Sequence, residues 1–208
     1  MYCRVTWYSG SPAIVDEGIK AVADLLPRIK RFPGYAGFSL LVDRASGDSA
    51  GIAYFKDWRS LKASGAAGAL VRRQGSDRIG GEIAGVDEYE CTLMEVAEPP
   101  RTGAWARLIS GTGRREKVDT VVQTLRDQVL PVLKQQSGFC ASLAGADRKS
   151  GKGLTCSIFA TRHDLEASGE AVAALRQQLQ TFAEMADMRI HTFELVLSEF
   201  PAAEPVAS

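Results

Sequence analysis

The chain has 208 residues, 45% of them hydrophobic and 24% charged, with Lys+Arg 25 set against Asp+Glu 25. A formal charge of zero, mixed along both halves, provides no field for nucleic acid or an anionic membrane, and no apolar run approaches the roughly 18 residues of a membrane span. Cys3, Cys91, Cys140 and Cys156 fall among strand-like residues with no C-x-x-C pair, which predicts buried thiols and neither a disulfide frame nor a metal site.

Cys3 to Tyr8 alternates, with Cys3, Val5 and Trp7 on one face and Arg4, Thr6 and Tyr8 on the other, and predicts a strand. It begins directly after Met1 with no signal-peptide core, so the cytoplasm is the expected compartment. Ser9-Gly10-Ser11-Pro12 breaks the strand. Val15, Ile19, Val22, Leu26 and Ile29 then recur at helical spacing; Asp16 and Glu17 suit the positive end of the helix dipole, and Pro27 is expected to kink or end the helix. After the turn at Phe32-Pro33-Gly34-Tyr35, Gly37 to Val42 and Gly51 to Phe55 predict an antiparallel hairpin with its tip at Asp43 to Asp48. Ser60 is the expected cap of a second helix running through Gln74 and weakened by Gly65 and Gly68. Gly75 to Gly85 reads either as a flap over a pocket or as a plain connection, and Glu88 to Val96 alternates as a closing strand.

Ala97 to Gly103 carries Pro99 and Pro100, which remove two backbone donors and mark a linker. Beyond it the order starts again. Pro27 and Pro131 are separated by 131 − 27 = 104, and the same step carries Gly34 to Gly138, Asp43-Arg44 to Asp147-Arg148, Phe55 to Phe159, Ala63-Ser64-Gly65 to Ala167-Ser168-Gly169, Arg72 to Arg176 and Glu90 to Glu194. Near the start the step slips: Ser9-Gly10 matches Ser110-Gly111 at 110 − 9 = 101. The second half predicts a strand at Trp105 to Ile109, a helix with a Val118, Val122, Leu125, Val129 and Val132 stripe, and a hairpin at Cys140 to Leu143 and Leu154 to Phe159. A helix from Leu165 to Met185 with Phe182 buried and a strand from Arg189 to Leu197 complete it. The expected organisation is therefore residues 1–98 as a first repeat, 99–103 as linker, 104–200 as a second repeat and 201–208 as a disordered tail.

Each repeat reads β-α-β-β-α-β, an α+β class unit of ferredoxin-like type with both helices on one sheet face. The other face remains apolar and needs a cover. Two such repeats in one chain are expected to close one α+β barrel with the helices outside.

Pro33-Gly34-Tyr35 before a strand, a second strand ending in Tyr54-Phe55, and Asp57-Trp58-Arg59-Ser60 opening a helix together resemble the antibiotic-biosynthesis-monooxygenase branch of the dimeric α+β barrel superfamily. Most relatives are single units that dimerise, so the resemblance implies a fused pseudo-dimer within one chain, open to further homo-oligomerisation. It also implies a small apolar or aromatic ligand. The activity it implies is cofactor-independent monooxygenation of a phenolic, quinol or polyketide-like substrate, with a non-catalytic ligand-binding or stress-responsive barrel as the alternative. Haem binding or degradation ranks below both. The haem-degrading relatives use a histidine on the second helix and an asparagine on the first strand, whereas this chain has no asparagine, and its two histidines, His163 and His191, sit at a helix opening and a strand start.

The residues that could carry chemistry are the polar aromatics of the first repeat. Trp7, Tyr54, Trp58 and Tyr89 stand where the second repeat has Leu108, Ile158, Arg162 and Phe193, which points to a working pocket in the first repeat. The catalytic candidates are Trp58, at a strand-to-helix turn, with Tyr54 or His191 as base; Trp7, Tyr89 and Arg72 are the substrate-binding candidates, Arg72 through its fork on an anionic oxygen. Packing aromatics and a solvated helix arginine are the competing readings. No cofactor or metal is expected. Gly111-Thr112-Gly113 follows a strand as a nucleotide loop would, yet Glu116 stands where the third glycine belongs.

Overall fold

In the computed structural model, which describes residues 1–79 and 81–201, the element order β-α-β-β-α-β occurs twice. β1 (Tyr2–Ser9), α1 (Val15–Ile29), β2 (Tyr35–Val42), β3 (Ser49–Phe55), α2 (Trp58–Ala63), α3 (Gly65–Ile79) and β4 (Glu82–Val96) make the first half. β5 (Trp105–Thr112), α4 (Val118–Thr124), α5 (Leu130–Lys134), β6 (Phe139–Asp147), β7 (Lys152–Phe159), α6 (Arg162–Ala171), α7 (Ala173–Ala183) and β8 (Ala186–Glu199) make the second. The eight strands close an antiparallel barrel in the order β1-β3-β2-β8-β5-β7-β6-β4. Closure leaves no sheet edge exposed. The chain divides into two compact units, residues 1–90 with 193–201 and residues 91–192, so the division passes through β4 and β8.

In the first unit, Arg4, Thr6 and Tyr8 of β1 share a face with Phe38, Leu40, Gly51, Ala53 and Phe55. Phe38 and Leu40 of that face join Val15, Leu25, Ile29 and Val71 in one apolar core. The opposite face, with Cys3, Val5, Ala50, Ile52 and Tyr54, is fully buried. Burial on both faces explains why strands β2 and β3 read as nearly continuous apolar runs. In the second unit, Leu133, Phe139, Phe159, Leu165 and Val172 form the equivalent core. All four cysteines are free thiols, and burial pushes the Cys156 thiol up to about 12.

Several sequence expectations are corrected. α1 does not end at Pro27 but continues to Ile29, the proline giving up one hydrogen bond to the preceding turn. The cap of α2 is Asp57, whose carboxylate accepts from the Ser60 amide at 2.8 Å; Ser60 itself lies inside the helix. The expected long second helices are each broken in two, at Ser64 and at Val172. β4 begins at Glu82 and β8 at Ala186, so Gly75 belongs to α3 and Gly85 to β4, and the flap reading does not hold. His191 consequently lies inside β8, away from its start. Phe182, expected in the core, is 43% exposed and packs beneath Lys117 Nζ, 5.0 Å from its ring centroid. The predicted tail beyond Pro201 lies outside the described residues. Among them, no helix is long and apolar enough to cross a membrane.

The register between the repeats also changes. Tyr2 pairs with Phe55 and Trp105 with Phe159. Since Phe55 and Phe159 stand 104 apart, the first strands correspond at 105 − 2 = 103, not at 101. Gly10 approaches Gly47 as Gly113 approaches Gly151, which gives the same step of 103. Val15 and Val118, the first residues of α1 and α4, keep it; Pro27 and Pro131 are already at 104. One residue has therefore been inserted between Val118 and Pro131. It is absorbed where Leu125–Val129 widens into a π-helical turn between α4 and α5.

Candidate functional site

Each unit has a layer between its helices and the helix-facing side of its sheet, and there the two units differ. In the first, Tyr8, Phe38, Leu40 and Val42 fill the layer, leaving cavities of about 50 and 40 Å³. In the second, the corresponding residues are Gly111, Ser142, Ala144 and Ala146, and a partly open cavity of about 140 Å³ results. Met185 takes part of the tyrosine's place, its Cε lying 2.8 Å from where a Cβ on Gly111 would be. Leu179, in the position of Gly75, returns some volume from the helix side. The loss from the sheet floor is larger.

Val118, Val121 and Val122 of α4, Leu125 and Val129 of the π turn and Leu179 of α7 roof this cavity, with Met185 and Met188 at one end. An aliphatic roof and two flexible thioethers suit a poorly hydrated ligand surface. Asp187, between those methionines, has a φ of 54°, a left-handed conformation uncommon outside glycine and asparagine.

Two arginines face the cavity from β5 and α7. Arg107 Nη2 donates to the Leu165 carbonyl at 2.5 Å and Nη1 to Ser168 Oγ at 3.2 Å. Burial, and then the positive charge of Arg176, hold Arg107 below the usual guanidinium range, while Glu166 acts in the opposite sense. Arg176 lines the same cavity.

The first unit repeats this arrangement with an acid added. Arg4, 4% exposed, donates to Ser64 Oγ and to the Leu61 carbonyl, both at 2.8 Å, and its Nη2 also reaches Glu88 Oε1 at 2.8 Å. Lys62 closes on the other Glu88 oxygen at 2.5 Å. Although burial works the other way, these cations hold the Glu88 carboxyl below its usual range. In the second unit Thr192 replaces Glu88 and Glu166 replaces Lys62 (192 − 88 = 166 − 62 = 104).

Of the sequence-derived candidates, Tyr54 and Tyr89 stand on either side of Cys3 on the buried sheet face of the first unit, with Trp7 farther along β1 on the same face. Trp58 is 43% exposed, its ring 5.5 Å from that of Tyr2 and 4.3 Å from Lys62 Nζ. Tyr54 is fully buried, with the Phe200 ring 5.5 Å away. Trp7 donates to Asp87 at 3.0 Å, Tyr89 is buried, and His191 is half-buried. Of the six, only Arg72 lines a described cavity, the 50 Å³ one, beside Arg4 and Tyr8. The largest of the described cavities lies in the second unit, whereas five of the six candidates stand in the first. That cavity's signal in the sequence was the shrinkage of Phe38, Leu40 and Val42 to Ser142, Ala144 and Ala146, visible in the 104-residue register; the loss of Tyr8 to Gly111 needs the 103-residue register.

Tyr8 carries a consequence for alkaline stability. Burial pushes its phenol up to about 12, against the opposing pull of Arg72 and Thr6. Its folded value lies above the unfolded value of about 10, so the folded state holds the proton longer, and stability present below pH 10 is lost as pH rises towards 12. Between pH 9 and 12 the wild type is expected to lose about 2–3 kcal/mol more than Tyr8→Phe in urea unfolding. Parallel profiles would contradict this.

No family model matches the sequence. An uncharacterized protein of Mycobacterium tuberculosis, Rv2557, is 27% identical over 207 residues, covering 99% of this chain and 92% of its own length. Among solved structures, an anthrone oxidase-like protein matches with a TM-score of 0.70 at 14% identity, over 100% of this chain and 96% of the other. The fold is the dimeric α+β barrel. The heme-degrading enzyme LmHde of Listeria monocytogenes matches this barrel with a TM-score of 0.55 at 10% identity, over 92% of this chain and 98% of its own. No histidine lines any of the barrel cavities described above.

Proposed function

We propose that this barrel binds a small, largely apolar organic molecule in the second-unit cavity, as a cytoplasmic protein. The observation that carries the reading is the contrast between the units. Equivalent layers hold cavities of about 50 and 40 Å³ in one and a larger one of about 140 Å³ in the other, and close packing is what an unoccupied fold favours. Ala144→Leu restores the side chain that the first unit has at this position, Leu40. In a titration with the neutral fluorescent probe N-phenyl-1-naphthylamine, this variant is expected to bind at least about tenfold more weakly than wild type, one apolar side chain's worth of lost space. Its melting temperature should be unchanged or higher. Equal binding by both proteins would sink the proposal.

Cofactor-free oxygenation of a phenolic, quinol or polyketide-like ring is a second reading, favoured by the likeness to an anthrone oxidase-like protein. The substrate's anion would pass an electron to dioxygen, one oxygen atom staying in the product and the other leaving as water. No aspartate, glutamate, histidine or tyrosine lines the second-unit cavity, so the proton would go to water. Oxygen uptake with anthrone and hydroquinones no faster than in buffer removes this reading and leaves the binding proposal standing.

A further inference from the structure

Every charged side chain on the wall of the second-unit cavity is basic: Arg107, Arg114, Lys152 and Arg176. Arg114 is engaged by Glu184 at 2.8 Å. Arg107 is committed to Leu165 and Ser168, and Gly169 makes room for it: a Cβ there would lie 2.6 Å from its Nη2. Arg176 is different. It is half-buried, it faces the cavity close enough for its charge to act on Arg107, and among the described residues no carboxylate pairs with it. Two half-buried guanidinium groups side by side repel each other unless an anion lies between or beside them. The first unit supplies that anion as Glu88. The second has Thr192 at that position, and the nearby Glu166 is paired with Arg162 at 2.8 Å.

Resting on the binding reading above, we infer that the missing anion is carried by the ligand: the cavity is a site for an amphipathic organic anion whose carboxylate, sulfonate or phenolate meets Arg176. Its apolar body lies along Val121, Val122, Leu125 and Leu179. A bare inorganic anion would leave that aliphatic roof unused, and a neutral hydrocarbon would leave Arg176 without a carboxylate partner.

Two probes with one body test this. 8-Anilinonaphthalene-1-sulfonate is an anion, and N-phenyl-1-naphthylamine is its neutral counterpart; each is titrated into wild type, Arg176→Gln and Ala144→Leu. Among the described residues the Arg176 side chain makes no hydrogen bond or ion pair, so its replacement is expected to leave the fold intact, which circular dichroism checks. The ratio of the two affinities, anion over neutral, is expected to fall about tenfold or more in Arg176→Gln, the loss of one charge-assisted contact. Both probes should weaken in Ala144→Leu. An unchanged ratio in Arg176→Gln, with both probes still sensitive to Ala144→Leu, overturns the anion inference and spares the binding reading. Insensitivity of both probes to Ala144→Leu, or no binding of either, overturns both.

Discussion

Arg4→Ala is expected to destabilise the protein by about 3–5 kcal/mol, the cost of removing one partner from a buried ion pair. The guanidinium ties β1 to two further elements, through Glu88 of β4 and through Leu61 and Ser64 at the end of α2. It also lies 5.6 Å above the Phe55 ring centroid. Without it, the Leu61 carbonyl keeps only the Ser64 hydroxyl, Glu88 keeps only Lys62, and the space under α2 is left hollow. The equivalent Arg107→Ala is expected to cost about 1–3 kcal/mol, since Arg107 has hydrogen bonds but no carboxylate partner, and its removal relieves repulsion with Arg176. Urea midpoints of the two variants provide the comparison. Equal losses would mean that Glu88 contributes nothing and that the distinction between the units is electrostatically empty.

The second large effect concerns the hairpin tips. Gly47 has a φ of 84°, and a Cβ there would run into the Ser11 backbone, which cannot give way as a flexible side-chain tip can. Gly151 is placed likewise, with a φ of 79° and the Gly113 carbonyl in the path of its Cβ. Gly47→Ala and Gly151→Ala are each expected to cost about 2–4 kcal/mol, combining left-handed backbone strain with displacement of the loop entering the helix. Gly103 separates the two terms, because its φ is 92° but nothing lies within 4 Å of its Cβ position. Gly103→Ala should therefore cost only the backbone term, about 1–2 kcal/mol. If all three glycines prove equally tolerant in thermal unfolding, the tip does not clamp the loop.

The amino-acid sequence by itself determined the repeated β-α-β-β-α-β order, because alternation of period 2 and stripes of period 3.6 are local properties, and the hairpins around Asp43 and Asp147, because turn chemistry is local too. It could not determine the register of the first strands. A slip from 103 to 101 moves a strand by two residues, which leaves every side chain on the same face and the hydrophobic pattern unaltered. Nor could it show the extra residue between Val118 and Pro131, since a helix can absorb one as a π turn while its apolar stripe continues. Helix ends at Ser64 and Val172, and the early starts of β4 and β8, depend on packing that acts across tens of residues. The cavity belongs to this second category. Phe38 and Ser142, and Leu40 and Ala144, were already aligned by the 104-residue step, but Tyr8 and Gly111 become comparable only when folding has put them at the same place on the sheet, and whether such a loss of bulk leaves a hollow depends on what descends from the opposite helix. Polar aromatics drew the sequence reading to the first unit because a side chain's chemistry is written in its own letter. Empty space is written in none, and only the tertiary structure could show it.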